Sequence, residues 1–180
     1  MTDPHQWQLP PELDETAMGL PVPKPGLVMG IATERLSRKT WFPRDASQPL
    51  SVPDWHSFCD MVWQAEAPWP CRLITRHKPA ITMDVPSDSE IAYCGKAEWG
   101  PEGPIIEVDD DGLTRLTALH EIAHLLVDAD RDWPGHRPPF ARSFVGLLAR
   151  WISLESAADW WVEWTQALSW ALDHPGWPPS

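Results

Sequence analysis

Two histidines four residues apart, His120 and His124, stand inside the apolar run Leu119-His120-Glu121-Ile122-Ala123-His124-Leu125-Leu126, and no other stretch restricts this 180-residue chain so tightly. Residues four apart on a helix lie above one another on one face, so both imidazoles can aim a ring nitrogen at one tetrahedral ion. Glu121 follows the first histidine and falls beside such an ion rather than on it. There its carboxylate can take a proton from a water whose pKa the ion has lowered to about 7. The pattern implies metal-assisted hydrolysis, and Zn2+ is the ion that suits it.

The flanking residues predict the setting this motif requires. Pro104-Ile105-Ile106-Glu107-Val108 reads as a strand, and Asp109-Asp110-Asp111-Gly112 as a turn and helix cap. From Leu113 onward, Leu116, Leu119, Ala123, Leu126 and Val127 keep helical spacing, with the two histidines on an adjoining stripe.

A catalytic zinc site takes three protein ligands and keeps a fourth position for water. After Val127 the chain turns polar and proline-rich, which ends the helix. His136 lies twelve residues beyond His124, just before a new helical pattern that begins near Phe140, and a returning loop can close the site from there. Other donors compete with it. Asp130 follows His124 by six, a spacing at which Asp replaces the last ligand in some zinc peptidases, although Val127 stands where the chain usually turns at Gly. Asp128 is expected to stay on the helix end. Glu155, on a later helix and followed by Asp159, would complete a His-His-Glu site. His136 is the preferred third ligand, with Glu155 or Asp130 as alternatives.

The segment His120-Glu121-Ile122-Ala123-His124-Leu125-Leu126, a short acidic loop, and then Gly135-His136-Arg137-Pro138-Pro139-Phe140-Ala141-Arg142 resembles the SprT-like zinc metallopeptidases. It is closer still to a group of actinobacterial and phage metallohydrolases with that core. The resemblance covers roughly Ile91 to Trp151, about a third of the chain. It implies His120, His124 and His136 as ligands and Glu121 as base. It also implies an α+β, zincin-like fold (a minimal metallopeptidase), in which a small mixed sheet packs on the His-Glu-x-x-His helix and further helices follow. Arg137 replaces the usual Gly after the third His, and Pro139 the usual charged residue before Phe140. No Cys-x-x-Cys pair follows, so the zinc ribbon of the larger relatives is lacking.

Length and an apolar fraction of 43% predict one domain with a sizeable core. Thirteen Trp against one Tyr is unusual, and several indoles are expected at the surface or around a groove. The formal charge of −12 argues against nucleic acid and anionic membrane as partners, because both select a basic footprint. The first residues show no basic segment followed by an apolar one, and no apolar run is long enough to span a bilayer, so a cytoplasmic protein is expected. Cys59, Cys71 and Cys94 are odd in number and too far apart for a Cys-x-x-Cys site, which predicts free thiols; a Cys59–Cys71 bridge would require export.

In chain order, residues 1–53 hold nine prolines and read as a partly extended arm, within which Leu27 to Ala32 pairs as a strand or lies over the core. Residues 54–172 form the metallohydrolase domain and 173–180 a loose tail. The first helix starts at Pro53-Asp54, with Asp54 as cap and Trp55, Phe58, Val62 and Ala65 on one stripe, and Pro68 stops it. His56 lies on its polar side with no evident partner. Arg72–Arg76, Ala80–Val85 and Glu90–Cys94 are strand candidates, and Gly95 to Gly103 reads as a loop at the lip of the cleft. Phe140, Phe144, Leu147, Leu148 and Trp151 mark a third helix. Ala158, Trp161, Val162, Thr165 and Leu168 mark a fourth, with Ser153 as its cap unless the two run on as one.

The expected activity is hydrolysis of a peptide or other amide bond, with Glu121 as general base and Tyr93, Arg142 or His77 as candidates to stabilise the oxyanion. His174 is a weak ligand candidate. Two other classes compete: a catalytically degenerate zincin that binds zinc for folding and acts as an interaction protein, and a nucleic-acid-associated protease, which the acidic balance disfavours.

Overall fold

A computed structural model describes residues 28, 32–33, 35–36, 38–40, 42–78, 95–128, 136 and 138–174. They include five helices of described extent, further helical residues between 28 and 36, and one three-stranded mixed sheet, an α+β arrangement. The chain divides into two compact units, Pro43–Arg131 and the combination of Met1–Phe42 with Asp132–Ser180.

In the unit Pro43–Arg131, α1 (Arg44–Ser47) precedes α2 (Val52–Glu66). The cap of α2 is Ser51 rather than the expected Asp54. Ser51 Oγ accepts the Asp54 N–H at 3.3 Å and donates to Asp54 Oδ2 at 2.6 Å, so Asp54 works from the third helical position and Pro53 fits the first turn. The helix buries Trp55, Phe58, Cys59, Val62 and Trp63, whereas Ala65, expected on that stripe, is exposed. Ser51→Ala should lower stability by about 1 kcal/mol, as a displaced thermal midpoint with the fold intact.

Three strands follow: β1 (Ile74–His77), β2 (Gly95–Gly100) and β3 (Gly103–Val108), in the order β1-β3-β2. The central β3 pairs parallel with β1, Ile74 opposite Ile105, and antiparallel with β2, Gly95 opposite Val108 and Gly100 opposite Gly103. Its Ile105, Ile106 and Val108 are buried, which is why this run is so apolar. The segment expected to be a cleft-lip loop is therefore a hairpin. Pro101 and Glu102 form its turn, and Gly103 leaves that turn at φ +129°, a conformation that side-chain-bearing residues rarely adopt. The strand candidates Ala80–Val85 and Glu90–Cys94 lie outside the described residues.

Glu107 of β3 accepts hydrogen bonds from Lys78 at 2.6 Å and Arg76 at 3.1 Å. The Lys78 bond, with Arg76 helping against partial burial, holds its carboxyl below the usual carboxylate range. A lowered folded-state value means a contribution present above the ordinary carboxylate pKa and lost as pH falls through the folded one. Glu107→Gln should accordingly cost a little stability at neutral pH and nothing in acid, read from urea midpoints at the two pH values.

The motif helix α3 (Arg115–Asp128) starts two residues later than expected. Thr114 Oγ1 accepts the Thr117 N–H at 3.0 Å and so takes the capping role expected of Asp109–Gly112. That segment supplies only the turn, with Asp109 Oδ1 accepting from Gly112 N at 2.9 Å. Leu116, Leu119, Ile122, Ala123 and Leu125 are buried, and α3 packs against β2 and α2. Leu126 and Val127, expected on the buried stripe, are half-buried.

In the other unit, α4 (Pro138–Trp151) and α5 (Leu154–Asp173) pack on each other as separate helices. Ser153 caps α5 as expected, its Oγ accepting the Ser156 N–H at 3.0 Å. Phe140, Phe144, Leu147 and Leu148 of the α4 stripe are buried as expected, whereas Trp151 at its end is half-buried. Only part of the α5 stripe is buried: Trp161 and Leu168 as expected, together with Ala157, Trp160, Trp164, Ala167 and Ala171, while Thr165 is half-buried, Val162 half exposed and Ala158 exposed. Indoles carry more apolar area than Val or Thr and set the rotation of the helix. Phe144 meets Trp160 edge-on at 5.0 Å, and Trp160 stacks on Trp164 at 6.1 Å. Val28, Ala32 and Leu36, spaced by four, are helical and buried rather than part of a strand. Trp160 Nε1 donates to Thr33 Oγ1 at 3.3 Å, and Glu163 pairs with Arg35 and Lys39. No helix among the described residues is long and apolar enough to cross a membrane.

Candidate metal centre

Helix α3 sets His120 and His124 one turn apart at the margin of its buried face, both half-buried, with ring centroids 5.0 Å apart and ring planes at 67°. Glu121, next to His120, turns toward β2 and is 5% exposed. Burial alone pushes its pKa up to about 8. Strand β2 holds the helix at two points. Gly95 lies against the Glu121 side chain, and Trp99 Nε1 donates to the Leu125 carbonyl at 3.1 Å. That bond takes a helical carbonyl near the end of α3, where carbonyls begin to lack partners within the helix.

His136 stands just before α4, with its ring edge-on to Phe140 at 4.8 Å between centroids. Burial lowers its pKa to about 4, so at neutral pH the imidazole is uncharged. His120, His124 and His136 are the possible metal ligands found among the described residues.

Family models, curated proteins and solved structures give no match to the chain.

The donor set fits zinc. Imidazole nitrogens suit that ion, and three protein ligands would leave its fourth position for water.

The remaining candidates fall elsewhere. Glu155 is exposed in the first turn of α5 and is not one of the three grouped donors. Asp128 ends α3 as expected, while Asp130 and Tyr93 lie outside the described residues. Arg142 is half-buried on α4. His77, at the end of β1, places Nε2 2.8 Å from Asp110 Oδ1. His174 stacks on Trp170 at 4.4 Å and bonds to its carbonyl through Nδ1 at 2.9 Å. His56 has a partner after all, since its Nδ1 hydrogen-bonds with Thr75 Oγ1. Cys59 and Cys71 are free thiols, and burial raises the pKa of Cys59 far above its ordinary value.

Sequence reasoning missed Gly95 and Trp99. A glycine immediately ahead of an aromatic-bearing segment was the available signal, but Gly, Lys and Glu made that segment read as loop. The indole of Trp99 also meets Trp63 and Trp69 edge-on at 6.1 and 5.3 Å, an aromatic cluster formed by α2, the chain just after it, and β2.

Proposed function

We propose that the chain is a zinc-dependent hydrolase of zincin-like fold that cleaves peptide or other amide bonds, as its resemblance to SprT-like metallopeptidases implies. The pairing of His120 and His124 one turn apart on α3, with the Glu121 carboxyl on the same turn, carries this reading, and His136 is the third donor that the resemblance implies. His120, His124 and His136 would hold the ion. Zinc bound there supplies a Lewis acid that polarises a scissile carbonyl and makes water acidic.

The protein's own part is proton transfer and positioning. The Glu121 carboxylate takes a proton from water as the water oxygen bonds to the carbonyl carbon, then gives it to the amide nitrogen as the C–N bond breaks. Its dry surroundings make it a stronger base than an exposed glutamate. The three imidazoles are neutral donors and cancel none of a dication's charge, which in turn favours the ionised form of the neighbouring carboxyl.

Metal analysis of the purified protein, together with digestion of an unfolded protein substrate with and without chelator, tests the proposal. One zinc per chain and chelator-sensitive cleavage are expected; a metal-free protein would end this reading. The low exposure of Glu121 favours a second one, a zinc-stabilised interaction protein without turnover. Free Cys59 and Cys71 support a cytoplasmic setting, and the charge of −12 supports a substrate other than nucleic acid.

A further inference from the structure

The absence of a side chain at Gly95 has a specific neighbour. A Cβ built there would stand 2.8 Å from Glu121 Oε1, closer than real Cβ atoms come, and 3.1 Å from both Cδ and Cγ, tight enough that these atoms would have to give by a few tenths of an ångström. Backbone conformation does not require glycine at this position, because the left-handed φ belongs to Gly103 and not to Gly95. Gly95 pairs with Val108 in a regular antiparallel register that any residue can adopt. What glycine provides is room.

We propose that Gly95 is the positioning residue of Glu121: the bare backbone of β2 forms a slot that receives the carboxyl and fixes where it stands beside His120. This inference rests on the reading of Glu121 as the base. Three features make the slot effective. Glu121 is 5% exposed, so a displaced carboxyl has little open space to enter. The tight approach includes Cγ as well as the terminal oxygen, so the side chain would have to yield along its length as well as at its tip. The strand is also fastened to the same helix one turn further on, through Trp99 Nε1 and the Leu125 carbonyl, so β2 cannot simply swing away from an added methyl group.

The test is a double-mutant cycle of Gly95→Ala with Glu121→Ala, read as melting temperature and zinc content, with turnover of a generic peptide library as a further measurement. The general effects of exchanging Gly for Ala in a strand occur in both backgrounds and cancel. Gly95→Ala should lower the melting temperature by about 3 °C or more in the parent and by clearly less once Glu121 is truncated, because the methyl group then occupies the vacated space. Zinc content should stay at the parent level in Gly95→Ala, since no imidazole is touched. In an active protein kcat should fall about tenfold or more with KM little changed, the sign of a misplaced catalytic group rather than of lost binding.

Equal melting losses in both backgrounds would overturn the slot. So would a coupled cycle in which Gly95→Ala turns over substrate at the parental rate. A coupled cycle in a zinc-binding protein that cleaves nothing would leave the slot standing and remove the hydrolase reading, so the two failures are separable.

Discussion

Glu121→Gln should reduce turnover by about 10²- to 10⁴-fold while leaving zinc content unchanged. Gln preserves the volume and the contact with Gly95 but cannot accept a proton from water at neutral pH. Its effect on stability should be small and can be favourable, because a carboxyl whose pKa burial raises to about 8 resists ionisation in place, and the amide has no charged form to suppress. The discriminating result is thus a large kinetic loss with a melting temperature at or slightly above that of the parent. A variant that retains most of its activity would move the base to another residue. Lost metal together with lost activity would make Glu121 structural.

The second large effect concerns the metal itself. His136→Ala should abolish stoichiometric zinc, whereas Glu155→Ala should leave it intact. His120→Ala and His124→Ala should behave as His136→Ala does. A ligand that binds only the folded state stabilises it by about 2.7 kcal/mol when present at a hundredfold excess over its dissociation constant. For a chain of this length that corresponds to a rise of roughly 5–10 °C in melting temperature. Each histidine variant should lose this zinc-dependent rise, and Glu155→Ala should keep it. Zinc retained by His136→Ala and lost by Glu155→Ala would preserve metal-assisted hydrolysis with a His-His-Glu site and weaken the SprT-like assignment.

The elements that could be read from sequence are those whose signal is local. Helix α3 follows from apolar spacing around His120 and His124, α4 from Phe140, Phe144 and Leu147, and the start of α5 from Ser153. Strand β2 could not be read in this way. Gly95, Lys96, Glu98 and Gly100 carry little strand preference, and the segment is extended because β3 offers it a partner and a glycine-assisted turn joins them. Helix α5 was identified with only Trp161 and Leu168 of its expected stripe buried, because apolar residues occur around much of its circumference and only packing chooses which indoles go inside. Caps showed the same limit. Ser51 and Asp54, like Asp109 and Thr114, are all favoured capping types, and the geometry of each turn decides between them. At the candidate centre, His120, Glu121 and His124 follow from spacing alone, whereas the room that Glu121 occupies depends on a strand from elsewhere in the chain.

Strand β2 is seated by missing atoms at both ends: a methyl group at Gly95 would strike Glu121, and one at Gly100 would come within 2.7 Å of Ile105 Cδ1. Between those ends Lys96 and Glu98 point outward and pair with each other at 2.6 Å. A library randomised across this hairpin and selected for folded protein should therefore come back bimodal, with positions 95 and 100 confined to the smallest residue and positions 96 and 98 accepting almost any polar one. A short ribbon with no large aliphatic side chain of its own would then prove as constrained at its extremities as the apolar interior.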